Sequence, residues 1–326
     1  MRIYYPNIDK ARWLLAYLIL IIHFRPLSGF DPTVDFASAQ VVARIAVPFY
    51  FMTTGFFMDY AQTDKVKAWL KNILRLTLIW SLIYLPFRLS AYFTGQANIL
   101  MDILHLGVHV HLWYLPASIF AVLSLGFSLK HTHIKMILWI GFILYIFGLF
   151  GDAYHGFSSI IGIENLVDDY LSIFETTRNG LFFGFFFVSL GYFIKTHPLN
   201  IKVNFKRIGF FIGFFLMFVE MLSLERAGIP IEYNMILSTI PTVYFLFSLC
   251  LEKTSTEKHK SHKDLGTFIF LSHFIVLYLS IGLFMLFKWE GLFYNNLFRF
   301  LYTAIVSTLL GILLQKRKLK RLHQSR

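Results

Sequence analysis

Asp9-Lys10-Ala11-Arg12-Trp13-Leu14-Leu15-Ala16-Tyr17-Leu18-Ile19-Leu20-Ile21-Ile22-His23 decides the fold. From Ala11 onward the run is apolar or aromatic apart from Arg12, until the imidazole of His23 closes it. A stretch of this kind reads as a membrane-spanning helix. An ionisable group at bilayer depth is expensive, so His23 is a candidate functional residue. Arg12 and His23 are eleven positions apart. At about 100° and about 1.5 Å per residue, that is about 20° beyond three turns and a rise of about 16 Å. Both side chains therefore share one helix face, an arginine near the water interface and a histidine three turns deeper. Two readings stand here: the pair lines a channel from the surface to the interior, or Arg12 anchors the span and His23 is a packing histidine.

Composition supports a membrane class for the whole chain of 326 residues. It is 57% hydrophobic, 19% aromatic and only 15% charged, with a mean hydropathy of +0.62. A soluble domain of this size could not bury that much apolar surface. Cys250 is the sole cysteine, which excludes an internal disulfide and a cysteine-based metal site. No small-residue cleavage site follows the first apolar run, so that segment is expected to stay as a signal anchor.

Ten apolar stretches are expected to span: 11–30, 41–60, 73–93, 112–129, 134–150, 179–194, 208–224, 233–251, 265–287 and 292–314. The expected fold is an all-α polytopic bundle, a single integral-membrane domain over residues 1–326. With a cytoplasmic N-terminus, most of the 30 Lys and Arg fall in cytoplasmic loops and in the tail Lys316, Arg317, Lys318, Lys320, Arg321, while most of the 18 acids fall outside. Both termini are then cytoplasmic. The net charge of +12 is spread over short loops, a pattern of topology and attraction to anionic lipid headgroups rather than of nucleic-acid binding.

The remaining polar residues sort by position. Arg44 stands near the outer end of the second span, and Arg178 and Asn179 open the sixth from the same side, so the outer mouth would gather Arg44, Arg178 and His23. Cations around a histidine suit a site that handles an anion or stabilises an oxyanion beside a base. His273 lies about two turns into the ninth span. His105 and His109 have a spacing that would place two imidazoles on one helix face, but no recognised metal-ligand set surrounds them and no metal site is assigned. His131 and His133 belong to a short cytoplasmic loop facing water or headgroups. Gly180, Gly184 and Gly191 recur in the sixth span, as small residues do at close helix contacts. The outer loop 151–178 is either a lid or acceptor platform or a solvated connection. The linker 252–264 is a charged connection.

Some of these stretches resemble a known family. Asp9-Lys10-Ala11-Arg12 followed by ten residues and His23 is similar to the D-x-x-R-x10-H signature of the type three family of membrane acyltransferases. Arg44-Ile45-Ala46-Val47-Pro48-Phe49-Tyr50-Phe51-Met52-Thr53-Thr54-Gly55 resembles its R-x-x-V-P-x-F-F-x-x-S-G segment, with Thr54 where the family usually has serine. His111-Leu112-Trp113-Tyr114-Leu115-Pro116-Ala117 and Ser272-His273 resemble further landmarks. Within the family, 146–152 and 177–183 look like the membrane domain of VanT-type vancomycin-resistance serine racemases. Those append a pyridoxal-phosphate domain that these 326 residues lack, so racemase activity is not expected.

The resemblance implies an acyl-CoA donor, typically acetyl-CoA, entering from the cytoplasm as substrate with no permanently bound cofactor. It implies an acceptor hydroxyl on a cell-envelope glycan or lipid-linked sugar, in a bacterial plasma membrane. His23 would then be the general base and Arg44 a catalytic partner. Arg12 and Asp9 would bind the donor, and Arg178, Asn179, Trp113, Thr54 and His273 would line the acceptor pocket. A competing reading is a permease for a small molecule such as serine, as proposed for the VanT membrane domain. Carriers built from inverted repeats show paired broken helices in their two halves, whereas here the first span has no Gly or Pro before Pro26 near its far end and the sixth has three glycines. If the topology is right, a cysteine introduced between 253 and 263 stays unlabelled by an impermeant thiol reagent added to whole cells, and labelling there overturns it.

Overall fold

The computed structural model describes residues 3–198, 200–256 and 263–324. The linker 252–264 lies partly outside the described residues, as do the side chains of Lys318, Lys320 and Arg321 in the tail. Among the described residues all regular structure is helical, apart from one antiparallel bridge between Tyr4 and Ser255. The all-α architecture follows from the composition, because a helix satisfies every backbone polar group within its own segment.

The first helix, α1, spans Pro6–Phe24. Pro6 suits the first turn because its missing N–H would be unpaired there anyway. The helix ends where Arg25 turns left-handed (φ 48°) and returns its N–H to Ile21 O, with Pro26 next. The expected span 11–30 is therefore shifted toward the N-terminus. Among the described residues, five helices are long and apolar enough to cross a membrane: α2 (Pro32–Phe57), α3 (Thr63–Phe87), α7 (Val203–Arg226), α9 (Asp264–Leu286) and α10 (Asn296–Arg317). Shorter apolar helices are α4 (Tyr114–Ser128), α5 (Ile134–Phe150), α6 (Gly180–Thr196) and α8 (Thr239–Cys250).

The second helix begins well before the expected 41, because Asp31 caps it, accepting from Thr33 N (2.8 Å) and Val34 N (2.9 Å), with Pro32 in the first position. Its path tightens and loosens on the way, through a π turn at Ala37–Val41 and a 3₁₀ turn at Val42–Ile45.

Several of these helices are apolar and scarcely buried. In α3 only 6% of the most apolar window is buried inside the protein, and in α10 only 17%. Leu74, Leu78 and Leu82 on α3 are each more than half exposed and fall four residues apart. In water such a stripe would be a large exposed apolar patch; in hydrocarbon it is simply the lipid-facing side. The protein is a helical membrane protein.

The chain folds as two compact units, one holding residues up to Ala46 and from Leu246 onward, the other Val47–Phe245. In the first, α1 packs on α9 and both on α10, and the start of α2 packs on α1. Ala16, Leu20 and Phe24 of α1 join Leu265, Ile269 and Leu277 of α9 in one core. In the second, α6 is flanked by α4 and α5, and α3 packs on α4.

Glycine contacts set the close approach in the second unit. A Cβ at Gly191 would lie 2.0 Å from Met52 O, and one at Gly55 would lie 1.8 Å from Val188 O. Both obstacles are backbone, which cannot move without separating the helices. Gly180 and Gly184 likewise abut Ala117 O and the Phe51 ring. Gly191→Ala should therefore lower the unfolding temperature of the detergent-solubilised protein by several degrees, and more than Gly282→Ala, where a Cβ would meet nothing. Equal effects on a thermal melt would contradict this account of the packing.

Candidate functional site

The first unit holds Asp9, Arg12, His23, Arg44 and His273; the second holds Thr54, Trp113, Arg178 and Asn179. Within the first, Arg12 and His23 occupy one uninterrupted helix, α1. The partner helix is set by Gly266, where a Cβ would lie 3.0 Å from both Arg12 O and Trp13 Cα. Farther along both chains, His23 and His273 meet with ring centroids 5.4 Å apart and planes inclined by 23°, a stacked pair. Since contact advances with residue number on both helices, α1 and α9 run parallel.

His273 is fully buried, and Phe274 packs against both imidazoles, 5.0 Å from His23 and 4.5 Å from His273. His273 Nδ1 lies 2.7 Å from Phe270 O. A carbonyl oxygen only accepts, so Nδ1 carries the proton. Ser272 beside it is buried. The unit thus holds two imidazoles side by side in an apolar setting, groups of a kind that can take and return a proton.

At the other end of α1, Asp9 is buried and accepts from Tyr4 OH at 2.6 Å. Tyr4 is fixed by the paired backbone bonds with Ser255, both 2.9 Å. Burial, and then the bond to Asp9, push the Tyr4 phenol up to about 12, so it remains a donor to the carboxylate at neutral pH. Arg44 sits in the 3₁₀ turn that packs on α1 and donates from Nε (3.1 Å) and Nη2 to Gln40 Oε1, one turn back. Arg25 Nε bonds the buried Asp35 carboxylate at 2.6 Å, fixing the turn between α1 and α2.

The second unit has its own polar centre. Asp152 is fully buried and accepts from Asn234 N (2.7 Å), Met235 N (2.9 Å) and Asn234 Nδ2 (2.9 Å). Asn234 Oδ1 in turn accepts from Arg178 Nη1 at 3.2 Å, and the Arg178 guanidinium lies 4.9 Å from the Trp113 ring centroid. Burial pulls Arg178 below the usual guanidinium range, while Glu232 and Asp152 oppose this. Asn179 serves structure directly: its Oδ1 caps the start of α6, accepting from Leu181 N (2.9 Å) and Phe182 N (3.1 Å). Thr54 Oγ1 donates to Tyr50 O at 3.1 Å and lies 3.4 Å from Tyr114 OH.

The two stretches 146–152 and 177–183, distant in sequence, meet here. Thr177 Oγ1 donates to Gly148 O at 2.7 Å, and a Cβ at Gly151 would collide with Thr177 Cγ2 at 2.4 Å. Sequence reasoning did not find Asp152, Asn234, Tyr4 or Asp35. Asp152 alone carried a signal, an acid at the very end of an apolar run. His105 and His109 do not share a helix face: the helix ends at Leu106, His105 Nε2 lies 3.0 Å from Phe174 O, and His109 pairs with His111 (Nδ1 to Nδ1, 3.0 Å). Burial and then Arg88 hold His109 down to about 4. The loop 151–178 is ordered as short helices, including Glu164–Phe174, with His155 Nε2 on Asp168 Oδ1 at 3.0 Å.

The family model described as acyltransferase domain matches residues 5–316, so the chain belongs to that family. An amino-acid racemase of Enterococcus faecalis is 36% identical over 256 residues, covering 76% of this chain and 36% of the relative. A serine/alanine racemase of Enterococcus gallinarum is 28% identical over 313 residues, 92% of this chain and 44% of the relative. Another amino-acid racemase of Enterococcus faecalis is 29% identical over 337 residues, 96% and 47% respectively. The chain spans less than half the length of these curated relatives. No solved structure matches it.

Proposed function

We propose that the protein is a multi-pass O-acyltransferase of the bacterial plasma membrane, with ten crossings and both termini cytoplasmic. It would move an acyl group, by preference acetyl, from cytoplasmic acyl-CoA to a hydroxyl of a cell-envelope glycan or lipid-linked acceptor. The observation that carries this reading is the stacked pair His23 and His273, on helices whose α1 member also bears Arg12. Membership of an acyltransferase family supports it.

In this mechanism Arg12 holds a phosphate of the donor, with Asp9 three residues away at the same end of α1, and the long thioester arm runs along the helix face toward His23. His23 takes the proton of the acceptor hydroxyl as its oxygen attacks the thioester carbonyl carbon. Negative charge develops on the carbonyl oxygen, where Arg44 is the proposed stabiliser. The C–S bond then breaks, and the thiolate recovers the proton from the imidazolium. His273, whose Nδ1 is committed to Phe270 O, positions His23 by stacking and offers Nε2 as a second proton acceptor. Arg178, Asn179, Trp113 and Thr54 are proposed to serve the acceptor.

A second reading is a permease for a small amino acid such as serine. It is favoured by the names of the relatives, which are racemases, and by the Arg178 guanidinium, a group suited to a carboxylate.

The two are separated by incubating the purified protein in nanodiscs with radiolabelled acetyl-CoA and envelope glycan. His23→Ala should cut acyl transfer by about 10² to 10⁴ while leaving the protein folded. Arg12→Ala should raise the donor KM more than it lowers kcat. Undiminished turnover by the His23 variant would overturn the enzyme mechanism.

A further inference from the structure

Away from both polar centres, α5 and the end of α6 enclose an open cleft of ≈ 550 Å³ lined by His133, Ile134, Lys135, Met136, Trp139 and His197. Its charge has one sign. Residues 128–136 carry Lys130, His131, His133 and Lys135, and 195–207 carry Lys195, His197, Lys202, Lys206 and Arg207, with no Asp or Glu in either stretch. Lys195 is spent on Met58 O (2.6 Å) and His131 lies 3.0 Å from Phe127 O, which leaves His133, Lys135 and His197 as the cleft's own basic side chains.

His197 is held in place by its neighbours. Its ring stacks on Phe193, with centroids 4.9 Å apart and planes within 10°. Its Nδ1 lies 3.0 Å from Thr196 Oγ1, whose single proton already goes to Tyr192 O at 3.0 Å. Nδ1 is thus engaged by its neighbour, which leaves Nε2 as the ring nitrogen for a ligand.

The same cleft is apolar on its membrane side. Trp139 is 65% exposed, and Ile140 and Ile143 continue the exposed strip along α5. Cations at a helix end that give way to an apolar strip match the two chemistries of one phospholipid molecule. A soluble anion would use the basic side chains and leave the strip bare; a zwitterionic lipid gains little from a basic cleft without a carboxylate in it.

We propose that this cleft binds an anionic phospholipid, its headgroup phosphate among His133, Lys135 and His197 and an acyl chain along Trp139, Ile140 and Ile143. The site is independent of the catalytic reading, and lipid binding is its direct readout.

The test uses the full chain in nanodiscs containing phosphatidylglycerol or phosphatidylcholine with brominated acyl chains, following quenching of Trp139 as the part of the signal that Trp139→Phe removes. Brominated phosphatidylglycerol, diluted in unlabelled phosphatidylcholine, should quench Trp139 several-fold more effectively than the brominated phosphatidylcholine control. The preference should weaken about fivefold for each of His133→Ala, Lys135→Gln and His197→Ala, and be kept in Lys206→Gln. Equal quenching by the two lipids, or a preference that survives loss of all three basic side chains, overturns the proposal. So does inorganic phosphate that abolishes the preference at concentrations too low to screen charge, since the cleft would then be a site for a free anion.

Discussion

The approach of α1 to α9 at Gly266 is the constraint from which the first unit follows. With no side chain there, the backbone of Arg12 and Trp13 comes to within contact distance, and the two helices stay close enough for His23 and His273 to stack. The apolar residues on the same faces, Leu20 and Phe24 with Ile269 and Leu277, surround the imidazoles with hydrocarbon. A polar pair in such a setting is costly unless it is hydrogen-bonded, and the bond from His273 to Phe270 O meets part of that cost while fixing the tautomer. Structure and chemistry are thus joined at one helix contact. The residue that permits the approach, Gly266, lies seven positions before the histidine that uses it.

The second unit is organised differently, by a buried carboxylate instead of a helix contact alone. Asp152 gathers two backbone N–H groups and the Asn234 amide, and Asn234 passes the network on to Arg178, which rests on Trp113. A buried charge of this kind persists only when its lone pairs are filled, so removing either partner would leave the other exposed to the full desolvation cost. Arg178 is held in place by this chain of bonds from one side and by an aromatic face from the other.

How much of this was legible depends on whether the signal was local. The membrane class follows from apolar runs alone, and the one-face relation of Arg12 and His23 follows from helix geometry on an unbroken α1. The caps were equally local: Asp31 before Pro32 and Pro6 before the first apolar turn mark the true starts of α2 and α1, ahead of where hydropathy placed them. The site partners were not local. His273 stood out as an ionisable residue inside a span, but nothing in its spacing announces His23, 250 positions earlier. Asp152 and Asn234, 82 positions apart, are joined only by the fold. Asn179, expected in the acceptor pocket, also has a plain structural task as the cap of α6. Arg44 engages Gln40 one turn back, a pairing that helix spacing alone would have given.

The central claim is that His23 and His273 work as one unit in acyl transfer, and a double-mutant cycle tests it most directly. Turnover of acetyl-CoA by the nanodisc-embedded protein is measured for the parent chain, His23→Gln, His273→Gln and the double variant. Groups that act together are strongly non-additive. The account predicts that the double variant is scarcely slower than His23→Gln alone, with most of the His273 effect gone once His23 is absent. Losses that multiply, as for two independent residues, would contradict it.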